Sequence, residues 1–307
     1  EGGQVLKVKI LLLGHKGMLG NDLLAKLSLE HEVVGMDKEE IDIVSASECS
    51  KAIHETDPGI VINAAAYTNV DGCETARDDC FNVNAEAVKN IAEACRDKRI
   101  KIIHFSTDYV FNGMAKKPYE EDDQCSPINV YGESKLAGEQ YLRTLSNNYI
   151  LIRTAWLYGV KGRNFVEAIL EKAKAKEYIK NTLEKTNTKP TQPSTLEVVD
   201  DQVGSPTYTK DLAAAVDLLI DKNVKGIFHI SNRGTCSWFQ FAKKILKEAG
   251  VNDVEVIPIK SKQLLRPAKR PAYSVLSNQK FTQATGKIMQ PWQLALQDYL
   301  KNKTIKK

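Results

Sequence analysis

The first half of the chain alternates short apolar segments with longer segments of helical periodicity. Five apolar segments have the length of buried strands, at residues 8–13, 32–36, 60–62, 101–105 and 149–154. The segments between them repeat apolar residues every three or four positions, as amphipathic helices do. Regular alternation of strand and helix predicts a parallel sheet with helices on both faces. We therefore expect an α/β fold with a Rossmann-type doubly wound sheet.

The alternation changes after Gly159. A polar segment at residues 177–195 contains two prolines, and we expect it to be an inserted surface loop whose first part can be helical. We predict a Rossmann domain at residues 1–158 and a smaller α/β domain for the substrate, mainly at residues 159–307. Part of residues 196–235 can return to the first domain, and that alternative stays open.

Composition and charge exclude several classes of protein. Charged residues make up 27% of the 307 positions, the net charge is only +4, and the one dense basic run, at residues 301–307, contains no aromatic residue. A solvated tail explains that run, so we expect no nucleic-acid partner. No apolar stretch approaches the length that spans a membrane. We expect a cytoplasmic protein without a membrane partner.

No metal site is predicted. The six cysteines do not cluster with histidine and form no Cys-x-x-Cys pair. They stand at positions 49, 73, 80, 95, 125 and 236. Reduced thiols are therefore expected rather than disulfides or a zinc site. Four consecutive acids at residues 120–123 could supply magnesium ligands, but a solvated loop is the more common structure for such a run.

Three glycines follow the first predicted strand at a spacing that suits phosphate binding. Gly14, Gly17 and Gly20 stand between that strand and a helical segment, and Lys16 and Met18-Leu19 share the turn. Glycines at these places let the backbone approach a pyrophosphate, whose charge is met by amides at the helix N-terminus. An ordinary glycine-containing turn is the alternative.

Asp37 follows the second predicted strand, seventeen positions past Gly20. A carboxylate at this place can accept hydrogen bonds from the adenosine ribose, which favours a cofactor without a 2′-phosphate. Lys16 and Lys38 indicate the opposite, since either could pair with a 2′-phosphate. The choice between NADH and NADPH is therefore open.

Two further segments suit a nucleotide crevice. Asp42 and Ile43 could flank an adenine, although Asp42 could equally cap the next helix. The third predicted strand ends in Ala65-Ala66-Tyr67, where small side chains leave room for a ligand at the carboxyl end of the sheet. Tight packing of a helix explains the alanines equally well.

The fourth and fifth predicted strands end in hydroxyl and aromatic residues. Thr107, just after Phe105, could donate a hydrogen bond to a carbonyl that gains negative charge, whereas a strand-end cap is the alternative. Trp156 could stack on a sugar ring or a nucleobase, although most tryptophans pack in cores.

Tyr131 and Lys135 are four residues apart on one predicted helix face. Lowering a phenol pKa from ~10 to about 7 takes roughly 4 kcal/mol, which one positive charge at ~4 Å supplies at an effective dielectric of ~20. The pair could therefore form an acid. Packing of a half-buried ring beside a solvated ammonium explains most such pairs.

Taken in order, these motifs resemble the extended short-chain dehydrogenase/reductase family. Finer signatures resemble its dTDP-4-dehydrorhamnose reductase branch, at residues 65–71, 106–111, 129–139, 153–159, 201–207 and 270–274. The resemblance runs from about Lys9 to Trp292. The segment at residues 177–195 is longer than is usual in the family.

The resemblance implies roles for individual residues. Tyr131 would be the proton donor, Lys135 would lower its pKa and hold the nicotinamide ribose, and Thr107 would face the substrate carbonyl. Cofactor positions would also include Gly14, Lys16, Gly17, Met18, Leu19, Gly20, Asp37, Asp42, Ile43, Ala65, Ala66, Tyr67 and Phe105. Substrate positions would be Thr107, Asp108 and Trp156. No metal is carried over.

The implied activity is reduction of the 4-keto group of a dTDP-linked 6-deoxy sugar by NADPH or NADH, in a monomer or homodimer. Two alternatives stay open. One is another nucleotide-sugar reductase or epimerase of the same superfamily. The other is a non-catalytic subunit that resembles the regulatory subunit of methionine adenosyltransferase, against which the intact Tyr131, Lys135 and Thr107 argue.

Overall fold

The computed structural model describes residues 7–185 and 194–305. Its strands in chain order are β1 Lys9–Leu13, β2 Glu32–Met36, β3 Ile60–Asn63, β4 Lys101–Thr107, β5 Tyr149–Thr154, β6 Leu157–Tyr158, β7 Thr195–Val199, β8 Val203–Gly204, β9 Thr207–Tyr208, β10 Gly226–His229, β11 Cys236–Ser237 and β12 Glu255–Ile259. Its α-helices are α1 Met18–Leu27, α2 Ala46–Thr56, α3 Val70–Cys73, α4 Arg77–Phe81, α5 Ala87–Arg96, α6 Val130–Leu145, α7 Phe165–Lys185, α8 Thr209–Asp221, α9 Trp238–Glu248, α10 Gln279–Thr285 and α11 Trp292–Ile305. A π-helical turn, Asn82–Glu86, joins α4 to α5.

Six strands form one parallel sheet in the order β2-β1-β3-β4-β5-β10. The chain runs outward from β1 on one side to β2 and on the other to β3, and the crevice at such a reversal is where doubly wound sheets bind ligands. Leu13 lies beside Asn63, Asn63 beside His104, and Thr107 beside Thr154, so these carboxyl ends share one edge. The predicted Rossmann-type fold is confirmed.

Apolar residues cover both faces of the central strands, which is why these strands read as nearly continuous apolar runs. Ile10 and Leu12 face a cluster that includes Leu23 of α1 and Leu219 of α8. Leu11 faces the opposite cluster, built with side chains of α2, α5 and α6. The two buried layers hold the strand ends in fixed positions.

The later part of the chain builds a second cluster around stacked aromatic rings. The ring of Tyr158 contacts the rings of Tyr208, Phe241 and Tyr299, and the last contacts Tyr208 as well. The ring centroids in these pairs are at most 5.7 Å apart. Beside them β7 pairs in parallel with β12, and α7 and α9 pack on that pair. Helix α8 instead packs on α1, and β10 extends the main sheet. The division of domains near residue 158 stays a prediction.

Two segments predicted as loops are partly ordered. Residues 177–185 of the expected insertion continue α7, and residues 186–193 lie outside the described part of the chain. The acidic run is not a purely solvated loop, because Glu121 is buried and accepts a hydrogen bond from the His229 backbone N–H at 2.8 Å. No helix in the described part of the chain combines the length and the apolar character that a membrane crossing requires.

Candidate active site

The glycine turn and the end of β3 form the floor of a cleft. Gly14 has a φ of +78°, and a Cβ placed on it would lie 2.8 Å from the backbone N of Ala65. A Cβ on Gly20 would lie 2.0 Å from the carbonyl oxygen of Gly14. Only glycine allows these approaches. The turn is therefore held against β3 with its backbone open to a ligand.

The cleft has a volume of about 750 Å³, which suits a nucleotide. Its lining contains eight of the residues predicted for the cofactor, namely Gly14, Lys16, Gly17, Asp37, Asp42, Ile43, Ala65 and Ala66. The glycine turn gives room for a pyrophosphate, and the Asp37 carboxylate with the two alanines suits an adenosine, so the cleft fits a dinucleotide. The Oδ1 of Asp42 accepts a hydrogen bond from the Val44 N–H at 3.0 Å, so this carboxylate is held by its own loop.

Other predicted cofactor residues lie around the cleft rather than on its surface. Leu19 and Phe105 are buried in the apolar cluster beneath the sheet end. Met18 begins α1, and its sulfur lies 3.9 Å from Nδ2 of Asn164. Tyr67 is fixed by Asn84, whose side-chain oxygen accepts the Tyr67 N–H at 2.9 Å and whose amide donates to the Tyr67 carbonyl at 3.0 Å.

Tyr131 and Thr107 meet where α6 begins beside the end of β4. The side chain of Asn129 caps the helix by accepting the Gly132 N–H at 2.7 Å. A Cβ on Gly132 would lie 2.2 Å from the carbonyl oxygen of Tyr109, so glycine allows the helix to touch the turn after β4. This contact brings Tyr131 close enough to Thr107 for the hydroxyl to act on the pKa of the phenol.

Burial raises the pKa of Tyr131, the nearby Asp108 raises it further, and Thr107 acts to lower it. These groups favour the neutral phenol, which is the form that donates a proton. The predicted lowering of this pKa by Lys135 stays a prediction.

Lys135 is buried one helical turn beyond Tyr131, with 2% of its surface exposed. Its Nζ lies 3.4 Å from Nε2 of His104, and Nδ1 of the same ring lies 3.3 Å from Nδ2 of Asn63. Burial lowers the pKa of Lys135 to about 8, against the raising effect of Glu139 and Cys80. The ammonium therefore sits in a polar chain that begins at the end of β3.

His104 is not among the residues predicted for the site. A signal for His104 was present, because His104 and Ser106 alternate with apolar residues along the otherwise apolar strand β4. In a strand these positions share one face, and both side chains reach residues of α6: Lys135 for His104 and Glu139 for Ser106. Polar residues at that spacing on a buried strand indicate an internal polar network.

Asp108 is buried beside Thr107. Its Oδ1 lies 3.1 Å from the Thr107 hydroxyl, and its Oδ2 has no hydrogen-bond partner among the described residues. Burial raises the pKa of Asp108 to about 7, although Ser274 and Thr107 act to lower it. A protonated Asp108 can donate to Thr107, which frees the threonine proton for another acceptor.

Trp156 does not present a free face. Its indole stacks on Trp238 with ring centroids 3.5 Å apart, and a Cβ on Gly204 would lie 2.5 Å from its Cε2. Its backbone is left-handed, with a φ of +49°, which is rare for so large a residue. One face of the Trp156 indole is therefore covered by Trp238, and the predicted contact with a sugar stays a prediction.

A loop from the later part of the chain covers the tyrosines. Arg270 donates to both carboxylate oxygens of Asp71, at 2.6 and 2.8 Å, and to the Ala268 carbonyl at 2.6 Å. The Tyr109 ring meets the Tyr131 ring edge-on at 5.8 Å. Arg270 therefore binds protein groups and is not available to pair with a phosphate. The Arg266 side chain, in contrast, is 54% exposed.

Comparison with known proteins identifies the family. The family model described as the RmlD substrate binding domain matches residues 8–192 and 176–305. A dTDP-4-dehydrorhamnose reductase from Aggregatibacter actinomycetemcomitans is 37% identical over 94% of this chain and 97% of its own. The chain belongs to the dTDP-4-dehydrorhamnose reductase family. The resemblance drawn from the motifs is confirmed.

Two further relatives agree with this family. The spore coat polysaccharide biosynthesis protein SpsK of Bacillus subtilis is 37% identical over 96% of this chain and 98% of its own. A solved dTDP-4-dehydrorhamnose reductase from Bacillus anthracis, in complex with NADP, has a TM-score of 0.88 at 35% identity, over 97% of this chain and 100% of that one. The predicted enzyme class, an NAD(P)H-dependent oxidoreductase, is confirmed, and the epimerase and regulatory-subunit alternatives gain no support.

Proposed function

We propose that this chain reduces the 4-keto group of dTDP-4-dehydro-L-rhamnose to give dTDP-L-rhamnose, with NADH or NADPH as the reductant. One observation carries the proposal. Tyr131 begins α6 beside Thr107 at the carboxyl end of the sheet, with Lys135 buried one turn further along the same helix. An acid, a carbonyl-polarising hydroxyl and a cation then converge beside a dinucleotide cleft.

When bound, the nicotinamide supplies the hydride. Tyr131 donates its proton to the oxygen that becomes an alkoxide, and Thr107 hydrogen-bonds the same oxygen as negative charge develops there. Asp108 assists when it is protonated, because it then donates to Thr107 and turns the threonine proton outward. Lys135 stabilises the phenolate that remains after transfer, since the two side chains share one helix face.

The remaining residues are assigned by their place in or around the cleft. The cofactor site is formed or supported by Gly14, Lys16, Gly17, Met18, Leu19, Gly20, Asp37, Asp42, Ile43, Ala65, Ala66, Tyr67 and Phe105. We assign Asp108, which acts through Thr107, and Trp156 to the sugar side of the site. The enzyme works in the cytoplasm as a monomer or homodimer, without a metal and without a nucleic-acid partner.

Loss of nicotinamide absorbance with dTDP-4-dehydro-L-rhamnose tests the proposal. We expect turnover by the wild type and a fall of about 10² to 10⁴ in kcat for Tyr131→Phe. Tyr141→Phe is a matched control, because Tyr141 lies on the same helix and its hydroxyl donates to Glu86 at 2.9 Å, away from Thr107. Wild type without turnover, or Tyr131→Phe as active as Tyr141→Phe, would contradict the mechanism.

A further inference from the structure

The rim of the cofactor cleft carries a fixed carboxylate where β2 ends. The two oxygens of Asp37 accept backbone N–H groups, from Lys16 at 3.0 Å and from Lys38 at 2.9 Å. Although burial raises the pKa of Asp37, the hydrogen bonds from Lys38 and Lys16 bring it below its ordinary value. Asp37 therefore keeps its charge and its orientation at the point where the adenosine ribose would lie.

The ammonium of Lys16, whose backbone N–H binds Asp37, is already held by two other acids. Its Nζ lies 2.9 Å from Oε2 of Glu39 and 3.0 Å from Oε1 of Glu40. The second oxygen of Glu40 accepts the Asp37 backbone N–H at 2.8 Å, which ties the glutamate to the same turn. We call Lys16, Glu39 and Glu40 the lysine clamp.

Charge at this rim is unfavourable for a second phosphate. The carboxylates of Asp37, Glu39 and Glu40 outnumber the ammonium groups of Lys16 and Lys38, and His15 is the other titratable side chain that acts on Asp37. A 2′-phosphate would bring about two more negative charges. To pair with it, Lys16 would have to leave both glutamates and expose their charges to the phosphate.

We propose that the lysine clamp makes this chain prefer NADH over NADPH, and that Glu39 and Glu40 are specificity-determining residues for the cofactor. The inference rests on the proposed function, which requires one of the two reductants. A ribose 2′-hydroxyl can donate to Asp37 while the clamp stays closed. The clamp side chains are 43–54% exposed, so each pair contributes little to stability and acts mainly through local charge.

Direct binding tests this preference without a sugar substrate. NADH and NADPH are titrated separately into the full chain, with calorimetry as the readout, at low and at high salt. We expect NADH to bind about tenfold more tightly, with the gap narrowing at high salt because these charges are exposed. The double variant Glu39→Gln, Glu40→Gln releases Lys16, so NADPH affinity should rise by about tenfold while NADH affinity changes by less than about twofold.

Glu30→Gln with Glu32→Gln is the matched control. It removes the same charge at the opposite end of β2 and should leave the ratio of the two affinities unchanged. The inference is overturned if wild type binds NADPH as tightly as NADH, or if the control shifts the ratio as much as the clamp variant does. Failure of the sugar reduction with the NADH preference intact would instead overturn only the proposed substrate.

Discussion

Lys135 and His104 form a buried pair of basic side chains, with Nζ and Nε2 3.4 Å apart. Burial, and then the charge of Lys135, lower the pKa of His104 well below 6.5. The ring is therefore neutral at physiological pH, and its Nε2 can accept a hydrogen bond from the ammonium. Glu139 and Cys80 are the other titratable groups that act on Lys135. His104 is thus a positioning residue for the ammonium behind Tyr131.

Replacing His104 should change the pH dependence of catalysis. His104→Phe removes the acceptor from a buried ammonium, and a hydrogen bond to a charged group is worth about 1.5–3 kcal/mol. The pKa of Lys135 should fall further below 8, and the alkaline limb of the kcat/KM profile should move to lower pH by roughly 1–2 units.

His104→Gln is the control, because its side-chain oxygen can replace Nε2 as the acceptor. Its alkaline limb should stay near that of the wild type. A His104→Phe profile with unchanged shape and a uniformly lower rate would mean that His104 acts only through packing.

Asp108 should make stability depend on pH. Its pKa is near 3.8 ordinarily and about 7 in the fold, so between about pH 4 and pH 7 the folded state binds a proton that the unfolded state has lost. This contribution to stability is present at low pH and lost as pH rises through 7. Relative to wild type, Asp108→Asn should gain up to about 4 kcal/mol in its free energy of unfolding between pH 4 and pH 8.

Urea unfolding at several pH values measures this difference. Asp97→Asn, which removes a carboxylate on a side chain that is 90% exposed, is the matched control. A constant offset between Asp108→Asn and wild type across the pH range would exclude a proton on Asp108 in the fold.

The Asp71–Arg270 pair should couple substrate binding to the loop that covers Tyr109. Both carboxylate oxygens accept from Arg270, whose side chain is only 10% exposed. Asp71→Asn and Arg270→Gln should each raise KM for the sugar more than they lower kcat, because the loop is loosened while Tyr131 stays in place. A double-mutant cycle on unfolding should give a coupling energy of about 1–3 kcal/mol. Strictly additive effects would show that the pair does not act together.

The Arg153–Glu139 pair should be a major determinant of stability. Arg153 donates to Glu139 through Nε at 2.9 Å and Nη2 at 2.7 Å, and neither side chain is exposed by more than 2%. Glu139→Gln leaves the guanidinium without its counterion, so it should lose about 3–5 kcal/mol in urea unfolding. Replacing both residues by methionine should lose less than the sum of the two single changes. Equal or greater loss would contradict a charge-pairing role.

Much of this architecture follows from local patterns. The apolar runs of β1 and β3 are buried on both faces, and the glycines after β1 allow backbone positions that other residues cannot take. Such features depend on near neighbours in sequence, so periodicity and turn chemistry reveal them. The spacing of Tyr131 and Lys135 is likewise a property of one helix.

Contacts between distant segments required the tertiary structure. No spacing rule relates Trp156 to Trp238, or Lys16 to Glu39, because register and side-chain direction decide those contacts. Arg270 illustrates this, since nothing near it in the sequence indicates that its guanidinium binds Asp71. By itself the sequence determined the fold class, the glycine turn and the tyrosine–lysine spacing. Only tertiary packing decided which charges meet, because charge pairing depends on distance through space and not along the chain.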